Sequence, residues 1–271
     1  ESNASLPASQ FTAGTLSVLA TGSVFGTPVG NASQLPGATS GFGRGGTSAA
    51  ASAIAGSGAY YVAATGTEAQ AHNTASVTAY VGNYVRLPTG IVTVTASNTT
   101  TQAATATGIT FGGSAAIGAV KAQVDSGTTT LASLGEGVTM AAGGIGSFSL
   151  TASGSDTQIA HAKAGSGGLY AGSGAEGVTG NTATVTTSIG ANAAINTGFV
   201  TVAASHVDRY AALIDSLQAS AVGASAALGR HDAVVHVLTS LGAGSRITAA
   251  GPNTAGCYLP SRPHAVSTTP R

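Results

Sequence analysis

The stretch 75–97, ASVTAYVGNYVRLPTGIVTVTAS, returns at 183–205 as ATVTTSIGANAAINTGFVTVAAS, with eleven of twenty-three positions identical and no gap. The shared residues include Val77/Val185, Gly82/Gly190, Gly90/Gly198, Val92/Val200, Val94/Val202 and Ser97/Ser205. A third copy, TTLASLGEGVTMAAGGIGSFSLTAS at 129–153, lies between them, and a fourth begins at 236–251, HVLTSLGAGSRITAAG. From each closing serine to the next shared glycine the spacing is 38, 37 and 37 residues: Ser97 to Gly135, Ser153 to Gly190, Ser205 to Gly242. A period of about 52 residues marks a repeat architecture.

Outward from that core, the first copy fits only with roughly 24 extra residues near 23–46, since Thr21 to Gly82 is 61. The segment holds Pro28, Pro36 and several glycines and no sustained alternation, so it reads as an insertion loop. Insertions in repeat proteins gather on one face, often the binding face.

Within each unit, small or apolar residues alternate with polar ones, as in Val92-Thr-Val-Thr-Ala96, Phe148-Ser-Leu-Thr-Ala152 and Val200-Thr-Val-Ala-Ala204. Period-two alternation marks strands with one buried face. The fold class expected is all-β, a right-handed parallel β-helix of about four 52-residue units, each contributing five short strands in two coils. Stacked strands pair their backbones with neighbouring units and bury a narrow column that Val, Ala, Thr and Ile can fill.

Composition agrees with that economy. The 271-residue chain is 43% hydrophobic yet has no Trp and only 5% aromatics, and 40 of its residues are glycine. Only 7% are charged and the formal net charge is zero, so no basic surface is available for nucleic acid or an anionic membrane. The one cysteine, Cys257, excludes an internal disulfide. No apolar run reaches the roughly 18 residues of a membrane span. The chain opens on Glu1 and is read as part of a longer or processed protein, continuous with further repeats.

The domain reading is a lead-in at 1–15, a repeat domain at 16–251 with the 23–46 insertion, a capping unit at 206–251, and a disordered Pro-rich tail at 252–271. In the capping unit Val207, Tyr210, Leu213, Ile214 and Leu217 also fall at helical spacing behind Asp208, which leaves 206–230 open between a strand and a short helix.

Residues fit for chemistry are sparse. Asp125, Glu136, Asp156 and Glu176 stand singly, whereas glycan cleavage needs paired carboxylates. His206-x-Asp208 and His231-Asp232 with His236 form the one pattern with metal-ligand residue types, and the solvated-surface reading is preferred for it. The glycine tracts 41–46 and 165–168 lack the lysine of a phosphate loop and read as turns. Tyr60, Tyr61, Tyr80 and Tyr84 would form a binding stripe if they shared a face; packing or scatter is preferred. Thr93, Thr95, Thr99 and Thr101 have ice-binding spacing, but later copies replace Thr93-x-Thr95 by Ser149-x-Thr151 and Thr201-x-Ala203. No catalytic, cofactor or metal residue is assigned, and the chain is read as non-enzymatic.

The run VTVTASNTTTQAATATGITFGGSAAIGAVKAQVDSGTTTLASLGEGVTMAAGG resembles the repeat of filamentous haemagglutinin-like and leukotoxin-type large bacterial adhesins. There a VTVTA strand, an alternating small-residue run and a Thr-rich turn recur. The resemblance covers about residues 16–251. It implies a secreted or surface-anchored β-helical segment at a Gram-negative outer membrane, with a host or neighbouring-cell surface or matrix as partner. The readings that compete with it are a β-helical carbohydrate-active enzyme and an ice-binding solenoid.

Overall fold

A computed structural model describes residues 15–23, 49–87, 90–141, 146–250 and 254–258. Every regular element among them is a β-strand, and all inter-strand pairings are parallel. Unit 1 comprises β1 (Thr15–Ser23), β2 (Ala49–Ala59), β3 (Val62–Val81) and β4 (Arg86–Leu87). Unit 2 comprises β5 (Ile91–Gly112), β6 (Ala115–Leu134) and β7 (Thr139–Ala141). Unit 3 is β8 (Ser147–Ile189) with β9 (Ala194–Thr197), and unit 4 is β10 (Phe199–Leu241) with β11 (Arg246–Ala249). The last strand, β12 (Thr254–Tyr258), pairs with the start of β10.

Register shows how the repeat is used. Val92, Phe148 and Val200 are direct neighbours in one sheet, and so are Ala115, Tyr170 and Val222. Each 52-residue repeat is therefore one circuit of a solenoid-like stack. The two coils of five short strands expected from the sequence are replaced in unit 2 by strands of 22, 20 and 3 residues, and in units 3 and 4 by one strand of 43 residues and one of 4. Gly108 and Gly127 lie inside β5 and β6, where neighbours hold the backbone extended. Gly108 is needed there, since a Cβ would sit 2.7 Å from Val120 Cγ2.

The large sheet folds back on itself into two layers. One holds β1, β2, β5 and the leading halves of β8 and β10; the other holds β3, β6 and their trailing halves. Alternate residues point between the layers: Val92, Val94, Ala96, Ala104 and Ala106 from β5, Val120, Ala122, Val124, Ala132 and Leu134 from β6. The short strands β4, β7, β9 and β11 stack as a third wall and add Leu87, Met140 and Ile195 to a core with Phe148 and Leu150. A second apolar cluster of Ala69, Ala71, Ala104, Val120, Ala160 and Ala162 lies farther along the layers.

The shared glycine has a steric cause. Gly135, Gly190 and Gly242 stack over Gly82, Gly135 and Gly190, and a Cβ on any of the three would lie within 2.7 Å of backbone in the unit below. Their N–H groups donate to Val81, Leu134 and Ile189 carbonyls at 2.8, 2.9 and 2.7 Å. Two residues later the chain takes φ of +56° to +72° at Tyr84, Gly137, Asn192 and Gly244 in turn. One turn geometry recurs in all four units.

The insertion is placed by register as well. β1 pairs with β5 at an offset of 76 residues and β2 with the same strand at 53, a difference of 23. The break opens between Ser23 and Ala49, opposite Thr100 and Thr101; the inserted residues 24–48 lie outside the described residues, as do 1–14. In unit 4 the strand alternative holds over 206–230, where β10 stays in register with β8. Within the segment expected to be a disordered tail, Thr254–Tyr258 instead forms β12; the rest of 252–271 lies outside the described residues.

Candidate functional site

Between the two apolar clusters the interior turns polar. Directly after each closing serine, three inward positions two residues apart carry Asn98, Thr100 and Gln102 in unit 2, Gly154, Asp156 and Gln158 in unit 3, and His206, Asp208 and Tyr210 in unit 4. The facing layer supplies Ser126, Thr128, Thr179, Asn181 and His231. The result is a seam of buried polar side chains along the stack.

Asp156, 1% exposed, is its centre. It accepts hydrogen bonds from Thr100 Oγ1 and, at 2.9 Å, from Thr128 Oγ1, and His206 Nε2 lies 3.5 Å from its Oδ2. Gln102 Nε2 donates to Thr100 Oγ1 at 2.9 Å and Ser126 Oγ at 3.3 Å, tying the layers together. His206 fits because Gly154 lies beneath it: a Cβ there would be 2.6 Å from His206 Nδ1.

One unit on, His231 Nε2 lies 3.5 Å from Asp208 Oδ2, its Nδ1 is 2.8 Å from Thr179 Oγ1, and its ring stacks on Tyr210 with centroids 3.4 Å apart. Burial holds both histidines below the usual imidazole value, against the opposing pull of Asp156 and Asp208 on His206 and mainly of Asp208 on His231. The same burial pushes the Asp208 carboxyl up, and a hydrogen bond with Asn181 works against it. Asn181 Nδ2 also lies 3.4 Å from His206 Nε2.

The order Thr179, His231, Asp208 follows the hydroxyl–imidazole–carboxylate sequence of a nucleophilic relay. Thr179 is 0% exposed beneath unit 4, so no substrate carbonyl reaches its hydroxyl. The residues grouped in sequence as metal-ligand types are split by strand parity. His206, Asp208 and His231 point inward, whereas Asp232 and His236 sit on the outer face, Asp232 paired with Arg230. Among the described residues no group of three His, Cys, Asp or Glu is placed to hold a metal ion.

The remaining candidates lie outside the core. Asp125 and Glu176 are on the outer face of one layer and Glu136 is in a turn, so of the scattered acids only Asp156 joins Asp208. Tyr60 and Tyr61 form an edge-to-face pair at one end of β3, while Tyr80 and Tyr84 lie at its other end, roughly 60 Å away at about 3.3 Å per residue. The four do not make one stripe. Thr93 stacks between Ser17 and Ser149, and Thr95 between Leu19 and Thr151, so the outward threonine file is broken on both sides at Thr93 and on one side at Thr95. The 165–168 glycine tract lies where β8 passes from one layer to the other; the 41–46 tract is outside the described residues.

The chain matches no protein-family profile, no curated protein and no solved structure. Its own geometry has to carry the functional reading. The polar seam was missed in sequence because its members are ordinary strand residues. The signal available was their position, one, three and five residues after Ser97, Ser153 and Ser205.

Proposed function

We propose that this chain is a non-enzymatic structural and adhesive segment of a secreted or surface-anchored bacterial filament, folded as a right-handed parallel β-helix. The observation that carries this reading is the parallel pairing kept over four units, interrupted in a single strand by a 23-residue insertion that leaves both flanks paired. Such a stack is a stiff spacer, and the insertion is the place where it departs from its repeat. β12, set on β10 as β10 is set on β8, is consistent with continuation of the stack.

The outer surface suits the same role. It is low in charge and rich in Thr and Ser, whose hydroxyls pair between units, as in Thr95 with Thr151 at 3.0 Å and Ser153 with Ser97 at 3.1 Å. A carbohydrate-cleaving site would need two carboxylates facing a substrate groove; Asp156 and Asp208 instead face histidines between the layers. The broken threonine file supports neither ice recognition nor any other periodic lattice match.

The test is display of residues 1–271 on a cell otherwise unable to adhere, with and without residues 24–48. Binding to host cells or matrix that falls to background on deletion, with the strand content retained, is the expected result. Equal binding of the deleted form would remove the insertion from the reading. Glycan cleavage by the purified chain would remove the non-enzymatic claim.

A further inference from the structure

Where the two layers meet at the end remote from the short strands, the four connecting turns are stacked by the register of Val62, Ala115, Tyr170 and Val222. They make a convex ridge about 15–20 Å long at about 4.8 Å per strand. Its large side chains are more than half exposed: Tyr60 83%, Tyr61 68%, Phe111 61%, Leu169 52%, Tyr170 57% and Val222 60%. Residues 55–66, 108–119, 164–175 and 216–227, which form the turns and their flanks, contain no Asp, Glu, Lys, Arg or His. Gln218, the one amide side chain there, is already engaged, donating to Ala171 O at 2.9 Å and Ser220 Oγ at 2.7 Å.

A contiguous exposed apolar patch marks a contact surface. We propose that this ridge seats in the headgroup–acyl boundary of an electrically neutral lipid bilayer. Phe111 and Leu169 supply the apolar edge, and the tyrosines place a ring in the acyl boundary with a hydroxyl toward the headgroups. The absence of charge over all four turns means that neither anionic lipid nor low salt is needed for the contact.

Other occupants fit less well. A saccharide site uses fixed polar groups to orient hydroxyls, and the ridge offers only Ser, Thr and Tyr hydroxyls and backbone. Two copies meeting ridge to ridge would touch along a convex strip one turn wide, far short of the roughly 1,000 Å² of a specific interface. A bilayer is flat and deformable, and takes a convex edge along its whole length. This contact rests on residues 55–66, 108–119, 164–175 and 216–227 alone and stands or falls independently of the adhesive reading.

The test is flotation of the full chain with phosphatidylcholine vesicles at low and high salt. The expected result is equal flotation at both, reduced at least about tenfold in F111S/L169S/Y170S, because each large apolar side chain fully buried is worth about a factor of ten or more. Y80S, an exposed ring at the opposite end of β3, should float as the parent does. Since the triple variant could lose its fold, a second readout uses the parent: tyrosine emission, undisturbed by any Trp, should be quenched by lipids brominated near the headgroup. Y60F/Y61F/Y170F should remove the quenched fraction. No flotation on phosphatidylcholine, binding that needs anionic lipid and disappears in salt, an unchanged folded triple variant, or a ridge-dependent dimer without lipid would each overturn the proposal.

Discussion

Units 2 and 4 run the chain along the same path and fill it differently. At equivalent inward positions unit 2 has Asn98, Thr100, Gln102 and Val124, and unit 4 has His206, Asp208, Tyr210 and His231. Unit 3 is intermediate, with Asp156 as its one ionisable group among them. The backbone tolerates a polar seam anywhere along the stack, and what changes from unit to unit is whether the seam can take up protons. Burial changes only modestly at equivalent inward positions: Val92, Val94 and Ala104 are 0% exposed, whereas Val200 and Val202 are 5% exposed and Ala212 is half-buried.

The largest break between the two regions comes from the apolar core. Phe148→Ala in unit 3, where the ring is 1% exposed, should cost about 3–5 kcal/mol in urea unfolding. Leu217→Ala in unit 4, 72% exposed, should stay within about 0.5 kcal/mol. Equal effects would mean that Leu217 is covered by a neighbour and not set on the outer face.

Next comes the seam. Asp156→Ala leaves the Thr100 and Thr128 hydroxyls without their acceptor and removes the partner of His206, and should cost about 1–3 kcal/mol for each buried group left unpaired. Asp208→Ala, at a half-open position, should cost less. Equilibrium unfolding of the two variants compares them directly.

Proton uptake sharpens the contrast further. His206 and His231 have folded values below the ordinary 6.5, so their contribution to stability is complete above that pH and is lost as pH falls from there toward the folded values. Asp208 works in the other direction: its raised folded value means that acidification relieves the cost of its buried charge. Protection factors for hydrogen exchange at 199–241 should therefore fall below about pH 6.5, while those at 91–134 are unaffected. H206N/H231N should flatten the difference, and D208N should deepen the acid loss.

The smallest effect belongs to the outer face. Lys121 Nζ lies 3.7 Å from Glu68 Oε1 with both side chains well exposed, and a double-mutant cycle should return about 0.2–1 kcal/mol, vanishing in high salt.

How much of this was legible beforehand follows from what each residue does. The shared glycines and the Val-x-Val strands announced a repeat because their roles, close backbone approach and a filled core, admit few substitutes. Strand length was misread because the Thr-rich run 128–130 looks like a turn, and only neighbours on both sides keep it extended. The seam stayed hidden because facing residues such as Asp156 and Thr128, or Asn181 and His206, are 28 and 25 positions apart, a separation fixed by folding one sheet onto itself. Parity also undid the grouping of His231, Asp232 and His236, which adjacency in sequence had suggested.

The break between Ser23 and Ala49 has a further use. Both flanks are held by parallel pairing to β5, Thr15–Ser23 on one side and Ala49–Ala59 on the other, so the ends of the intervening peptide are fixed whatever its length or composition. Loop closure grows only logarithmically, about 0.6 kcal/mol per doubling. The position is thus a port at which the intervening peptide can be lengthened, shortened or exchanged while the flanking strands keep their register.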